Sequence, residues 1–175
     1  MDPRIKITTI GDSGVGKTSI LKRYCERNVA SNHINTTPTI GVDYGSFREE
    51  SKAGRLIYVD LFDLSGKDKY QNVRKEFYEG TDIFLLVFDL DDEKSFQSLN
   101  KWLKEISPFV NLRTNVCLVG NKSDIESSRC VSAEDLEKFV QENPLSQQYK
   151  VTCMYGTSVE DMFEDIFCRW WKSSV

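Results

Sequence analysis

Gly11-Asp12-Ser13-Gly14-Val15-Gly16-Lys17-Thr18-Ser19 follows directly on the apolar alternation of Ile5, Ile7 and Ile10. It satisfies the pattern of glycine, any four residues, glycine, lysine and serine or threonine, in the strand-then-helix setting that gives the pattern its meaning. Glycines let the backbone curl so that successive N–H groups point inward at phosphate oxygens. Lys17 brings a compact positive charge to the terminal phosphates, and Thr18 offers a hydroxyl to Mg²⁺. The residues from Thr18 to Arg27 begin a helix whose N-terminal dipole favours the same anion. A phosphate-bearing ligand is therefore expected on Asp12, Ser13, Gly14, Val15, Gly16, Lys17, Thr18 and Ser19.

Outward from this stretch, Lys6 to Ile10 is the strand that feeds it, and Ile20, Leu21 and Tyr24 form the apolar side of the first helix. Val42 to Glu50 and Leu56 to Leu64 predict two strands joined by the turn-rich Ser51-Lys52-Ala53-Gly54, hence an antiparallel hairpin. Ile83 to Phe88 is a continuous apolar run, as in a central strand covered on both faces. Phe96, Leu99, Leu103 and Ile106 recur at helical spacing within Glu93 to Pro108. Val116 to Gly120 is a further buried strand. Ser132 and Asp135 cap a helix with Leu136, Phe139 and Val140 inward, which Asn143-Pro144 ends. A short strand at Lys150 to Cys153 precedes a last helix carrying Val159, Met162, Phe163, Ile166, Phe167 and Trp170. The order predicts one α/β domain over residues 1–175: a mostly parallel six-stranded sheet with one antiparallel edge hairpin strand and helices on both faces. Ligands then sit beyond the carboxyl ends of the strands.

With 175 residues and a net charge of −4, the chain is not expected to offer a broad nucleic-acid face. Its five cysteines form no C-x-x-C pair and are odd in number, which fits reduced thiols and a cytoplasmic setting. No run approaches the roughly 18 apolar residues of a membrane span. His33 lies in a polar loop and is read as exposed, Trp170 as core packing. Lys67, Lys69, Arg74 and Lys75 read either as a solvated loop or as an attraction for an acidic partner.

Three further signals add to the phosphate loop. Asn121-Lys122-Ser123-Asp124 directly follows a buried strand. A carboxylate such as Asp124 can accept from N1 and the exocyclic amine of guanine, an arrangement adenine lacks, while the Lys122 stem covers the ring and Asn121 braces the loop. Strand-end Asp63 can hold a Mg²⁺-bound water, and the Gly66 N–H can approach a terminal phosphate. Thr39 can add its hydroxyl to the metal and its N–H to that phosphate.

Together, Gly11 to Thr18, Thr39-Ile40-Gly41-Val42-Asp43-Tyr44 and Asn121 to Asp124 resemble the Ras superfamily of small GTPases, most closely its Rab branch, over essentially the whole chain. Within that branch Lys22 to Glu26, Val73 to Tyr78 and Arg129 to Val131 are similar to the Rab-like proteins sometimes fused to a J domain; no J domain lies in these residues. The resemblance implies the G-domain fold of phosphate-loop NTPases and a GTP/GDP switch with Mg²⁺. Thr39 and Gly66 then hold two loops against the γ-phosphate until hydrolysis, chemistry in which Lys17 also shares. It also implies effector, exchange-factor and activating proteins contacting Thr39 to Gly54 and Leu64 to Gly80, and a monomer. Membrane attachment is expected only through a lipidated tail, since Ser173-Ser174-Val175 offers no Cys-a-a-X.

The sequence departs from the family in three places. Asp63-Leu64-Ser65-Gly66-Lys67 stands where Asp-Thr-Ala-Gly-Gln is usual, and a protonated lysine, donor-only, cannot orient an attacking water as glutamine does. Slow intrinsic hydrolysis is expected. Thr152-Cys153-Met154 replaces Ser-Ala-Lys, keeping a backbone N–H for guanine O6. Val29 stands where an aromatic usually meets the base, in a loop longer by about three residues, which implies faster nucleotide release. Two other functions remain open: a guanine-nucleotide-binding scaffold with little turnover, favoured by Lys67, and an ATP-using phosphotransferase, which leaves Asn121 to Asp124 unexplained.

Overall fold

The structure, a computed structural model, describes residues 3–26, 37–50, 54, 56–124, 130–143, 145–154 and 157–174. Among these, six strands form one sheet: β1 (Arg4–Ile10), β2 (Val42–Glu50), β3 (Leu56–Leu64), β4 (Ile83–Asp89), β5 (Asn115–Asn121) and β6 (Gln147–Lys150). Their order is β2-β3-β1-β4-β5-β6. Only β2 is antiparallel, paired with β3 along its whole length from Val42↔Leu64 to Glu50↔Leu56. The other pairs are parallel. The mixture follows from the connections, since a hairpin turn suffices for an antiparallel neighbour while parallel strands need a crossover.

β4 shows how the sheet is covered. All seven of its residues are buried, and alternation sends successive side chains to opposite faces. Ile83, Leu85 and Val87 share a core with Ile20, Leu21 and Tyr24 of α1 (Lys17–Cys25) and with Met162, Phe163, Ile166, Phe167 and Trp170 of α6 (Ser158–Ser174). Tyr24 stacks on Phe163 at 4.1 Å between ring centroids. Phe84, Leu86 and Phe88 face the other way. They join Tyr78, which follows α2 (Gln71–Lys75), and Leu99, Trp102 and Ile106 of α4 (Leu99–Ile106), together with Leu136 and Phe139 of α5 (Ala133–Glu142). The α5 cap forms as expected, with Ser132 Oγ accepting from the Asp135 N–H at 3.0 Å.

Three expectations need correction. The helix foreseen over Glu93 to Pro108 is interrupted: α3 (Glu93–Gln97) ends at Ser98, whose hydroxyl donates back to the Lys94 carbonyl, and α4 begins at the next residue. Its most buried large side chain is Trp102, which the apolar spacing had passed over. The last strand lies three residues earlier than Lys150 to Cys153, because after Val151 N–H meets the Gly120 carbonyl the chain turns away and Thr152 N–H bonds Ser158 Oγ instead. Arg74, read as part of a loop either solvated or open to an acidic partner, is fully buried on Glu105. Val29, His33 and residues 51–53 lie outside the described residues.

Candidate functional site

Because β1, β3, β4 and β5 are parallel, their carboxyl ends share one edge of the sheet, where register sets Thr9 beside Asp63 and Asp89 beside Asn121. Here β1 runs into the phosphate loop. Gly16 caps α1 in a left-handed conformation (φ +95°) with no side-chain cap, so no capping side chain competes for the first helical N–H groups. A Cβ at Gly16 would meet Asn121 Nδ2 at 2.1 Å, so only glycine lets the base loop and the phosphate loop close together. Asn121 completes the join by donating to the Val15 carbonyl at 2.9 Å.

Lys17 is buried and folds over the loop, its Nζ donating to the Gly11 and Asp12 carbonyls at 2.8 and 2.7 Å. Burial lowers its pKa to about 8, against the pull of Asp63 and Asp12. The ammonium is thus poorly solvated and faces the cavity, where a phosphate would supply the missing counter-charge.

Thr18, Thr39 and Asp63 meet at one point. Thr39 Oγ1 lies 3.0 Å from Thr18 Oγ1 and donates to Asp63 Oδ2 at 2.9 Å, the same oxygen that accepts from Thr18. Thr9 donates to the other carboxylate oxygen at 3.0 Å, fixing its plane. Two hydroxyls and one carboxylate make an all-oxygen donor set. It suits Mg²⁺, which takes one or two carboxylates, hydroxyls, waters and ligand phosphates rather than a cage of acidic residues. Among the described residues no cluster of three or more His, Cys, Asp or Glu side chains offers an alternative.

Opposite the phosphates, Lys122 adopts a left-handed backbone (φ +62°) and its ammonium bonds Asp89. Asp124 accepts from Thr152 Oγ1 at 2.6 Å, and that hydroxyl in turn accepts from the Met154 N–H. Cys153, its thiol pushed up to about 12 by burial, stays protonated and donates to Asn121 Oδ1 at 3.7 Å. The loop at 152–154 is thereby tied to the Asn121–Asp124 loop through two side chains.

A cavity of about 600 Å³ runs through these groups. It is lined by Ser13, Gly14, Gly16, Lys17, Thr18 and Ser19 at one end, by Asn121, Lys122, Asp124, Cys153 and Met154 at the other, and by Thr39 and Gly66 on its flank. Asp12, Val15, Asp63 and Thr152 stand behind this lining and hold it. Lys67 does not line the cavity and is exposed. Thr37 and Pro38 line it without any signal in the sequence beyond their place next to Thr39. Asp89 was also missed, although an aspartate closing the apolar run of Ile83 to Phe88 marks a strand end on this edge.

The flank carries an apolar patch. Ile40, Tyr44 and Val73 are exposed, and Ser65 N–H donates to the Gly41 carbonyl at 2.9 Å, joining the two segments that bear them. Tyr44, Phe62 and Phe77 form a row of rings with centroids 4.9 and 5.8 Å apart.

The sequence model of the Ras family matches residues 6–171. "Ras-related protein rab-11.1" of Caenorhabditis elegans is 30% identical over 172 residues, which takes in 98% of this chain and 79% of that protein.

Proposed function

This chain belongs to the Ras family, as a Rab-like small GTPase that binds GTP or GDP with Mg²⁺ and acts as a switch in traffic or signalling, and we propose roles for its residues. The backbone of Ser13 to Ser19 cradles the phosphates, with Lys17 on the terminal ones. Thr18 and Thr39 bind the metal and Asp63 reaches it through water. When bound, Mg²⁺ neutralises charge on the β- and γ-oxygens. Asp124 selects guanine, the Lys122 stem covers its ring, and the 152–154 backbone meets its O6. One observation carries the reading: a single cavity brings the phosphate loop, the oxygen cluster and the base loop together. Calorimetry with GDP, GTP and ATP tests it; the two guanine nucleotides should bind tightly and ATP weakly, and equal affinity for ATP would refute it.

Lys67, exposed and away from the cavity lining, supports slow intrinsic hydrolysis, with efficient turnover depending on a group supplied by a partner. The same observation favours a second reading, a nucleotide-binding scaffold with little turnover. Measuring GTP turnover with and without candidate activating proteins separates the two. The exposed Ile40, Tyr44 and Val73 support docking of effectors and regulators on Thr39 to Gly54 and Leu64 to Gly80. The reading is completed by a single-domain, monomeric, cytoplasmic protein that binds no nucleic acid and would reach membranes only through a lipidated tail. No helix among the described residues is long and apolar enough to cross a membrane.

A further inference from the structure

α4 bonds the phosphate loop directly and reaches the loop at 65–67 through Arg74 of α2, using residues three apart in sequence. Trp102 Nε1 donates to Asp12 Oδ1 at 2.8 Å, so the helix holds the phosphate loop by its side chain. One turn on, Glu105 accepts from Arg74 Nε at 2.7 Å and Nη2 at 2.8 Å, a two-armed pair with both side chains buried. Tyr78 Oη and Gln71 Nε2 occupy the same carboxylate at 2.7 and 2.9 Å. The remaining arm of Arg74 is the informative one. Its Nη1 donates to the Lys67 carbonyl at 2.9 Å, immediately after Gly66, while the guanidinium lies 4.5 Å over the Trp102 ring.

Gly66 is already pressed on the phosphate loop. A Cβ there would stand 2.4 Å from Asp12 C and Ser13 N, so the backbone approach leaves no room for a side chain. The position of the Gly66 N–H is therefore set by contact with residues 11–13 on one side and by the Arg74 tether on the other.

We propose that α4 spaces the phosphate loop and the Gly66 loop, and that Arg74 is a positioning residue for the γ-phosphate. It acts by holding the Lys67 carbonyl so that the Gly66 N–H is in place before GTP arrives. Arg74 itself touches no nucleotide, because it is fully buried, does not line the cavity, and has each of its three guanidinium nitrogens bonded within the protein. The assignment rests on reading the cavity as a guanine-nucleotide site. GDP lacks the γ-phosphate, so loosening the tether weakens GTP alone.

The test uses the full chain with Arg74→Met, and with Arg74→Met/Tyr78→Phe/Glu105→Leu, which replaces the whole buried set by apolar side chains of similar size and guards against an unpaired buried carboxylate. Dissociation of fluorescent GDP and of fluorescent guanylyl imidodiphosphate is measured in Mg²⁺, with thermal melts alongside. The expected result for both variants is release of the triphosphate analogue about fivefold faster, the factor belonging to one hydrogen bond of ordinary net strength. GDP release stays within about twofold. A merely structural pair would change the melting temperature and shift both nucleotides together. Equal factors for the two ligands, or no change in either, overturn the role of Arg74 and leave the site reading intact. Failure of the wild-type chain to bind either nucleotide overturns both.

Discussion

Replacing Asp89 with asparagine tests whether the guanine end of the cavity is held from behind. Lys122 sits at φ +62°, a conformation costing a side-chain-bearing residue about 1–2 kcal/mol, so something must keep it there. The bond from its ammonium to the Asp89 carboxylate is the visible restraint. The lysine side chain is 38% exposed and the aspartate 11%, which places the pair nearer an exposed ion pair than a buried one and sets its contribution at about 1 kcal/mol. Asparagine keeps an acceptor for the Asp91 N–H, now bonded at 3.0 Å, so the turn after β4 survives the change. What is lost is the charge that holds the Lys122 stem where it is proposed to cover the base, and about 1 kcal/mol corresponds to release of GDP about fivefold faster. Displacement of fluorescent GDP in excess Mg²⁺ reads the rate directly. Lys122→Met keeps the stem and removes the charge, so it should match Asp89→Asn, and the double variant should be no worse than either because both changes remove one bond. Unchanged release in the single variants, or effects that multiply to about 25-fold in the double, would refute the reasoning.

Three other outcomes are expected. Lys67→Gln should raise single-turnover GTP hydrolysis at least about tenfold, since glutamine supplies the acceptor and the donor that orient the attacking water once its side chain turns in from the surface; an unchanged rate counts against the account of slow turnover. Asp124→Ala removes the proposed acceptor of two bonds to guanine, each charge-assisted and contributing about 1.5–3 kcal/mol, so the calorimetric preference for GDP over ADP should fall by about a hundredfold or more. Burial pushes the Glu105 carboxyl up, but its bonds from Arg74, Tyr78 and Gln71 prevail and hold it below the usual carboxylate range. A carboxylate with a depressed folded-state pKa stabilises the fold above its unfolded value near ~4.3 and loses that contribution as pH falls through the folded value. In melts taken from pH 5 downward, the wild type should therefore lose stability relative to Arg74→Met/Tyr78→Phe/Glu105→Leu, and parallel curves would contradict this.

The parts of the site legible in sequence are those in which neighbours along the chain act together. The phosphate loop, Asn121 to Asp124 and Asp63 with Gly66 each put their chemistry into a few consecutive residues at a strand end, so pattern and position suffice. The sheet was legible for a similar reason, since period-two alternation and continuous burial are properties of single segments. Arg74 and Glu105 are 31 residues apart and Asp12 and Trp102 are 90 apart. A charge in a polar segment reads as solvated until the fold supplies its partner, and the spacing of Phe96, Leu99, Leu103 and Ile106 passes over Trp102, whose N–H meets Asp12 only in the folded chain. The misplaced β6 has another cause: four residues at an edge carry little periodicity, and the apolar Val151 just beyond the strand drew the expected position along the chain.

The two loops on the flank of the cavity are restrained in different ways, and this bears on where a partner can sense the nucleotide. The segment at 65–67 is tied by groups that a nucleotide does not replace: the Gly41 carbonyl, the backbone of residues 11–13 and the Arg74 arm. Among the described residues the Thr39 side chain bonds Thr18 and Asp63, the same oxygens proposed to hold the metal. With Thr18 and Thr39 as the proposed ligands, their hydroxyls would exchange these bonds for the ion, whereas the Arg74 pair offers no group to it. If α4 fixes the Gly66 loop, most of the difference between the GTP and GDP forms falls on Thr39 and its exposed neighbour Ile40, and partners that discriminate between the forms must do so there.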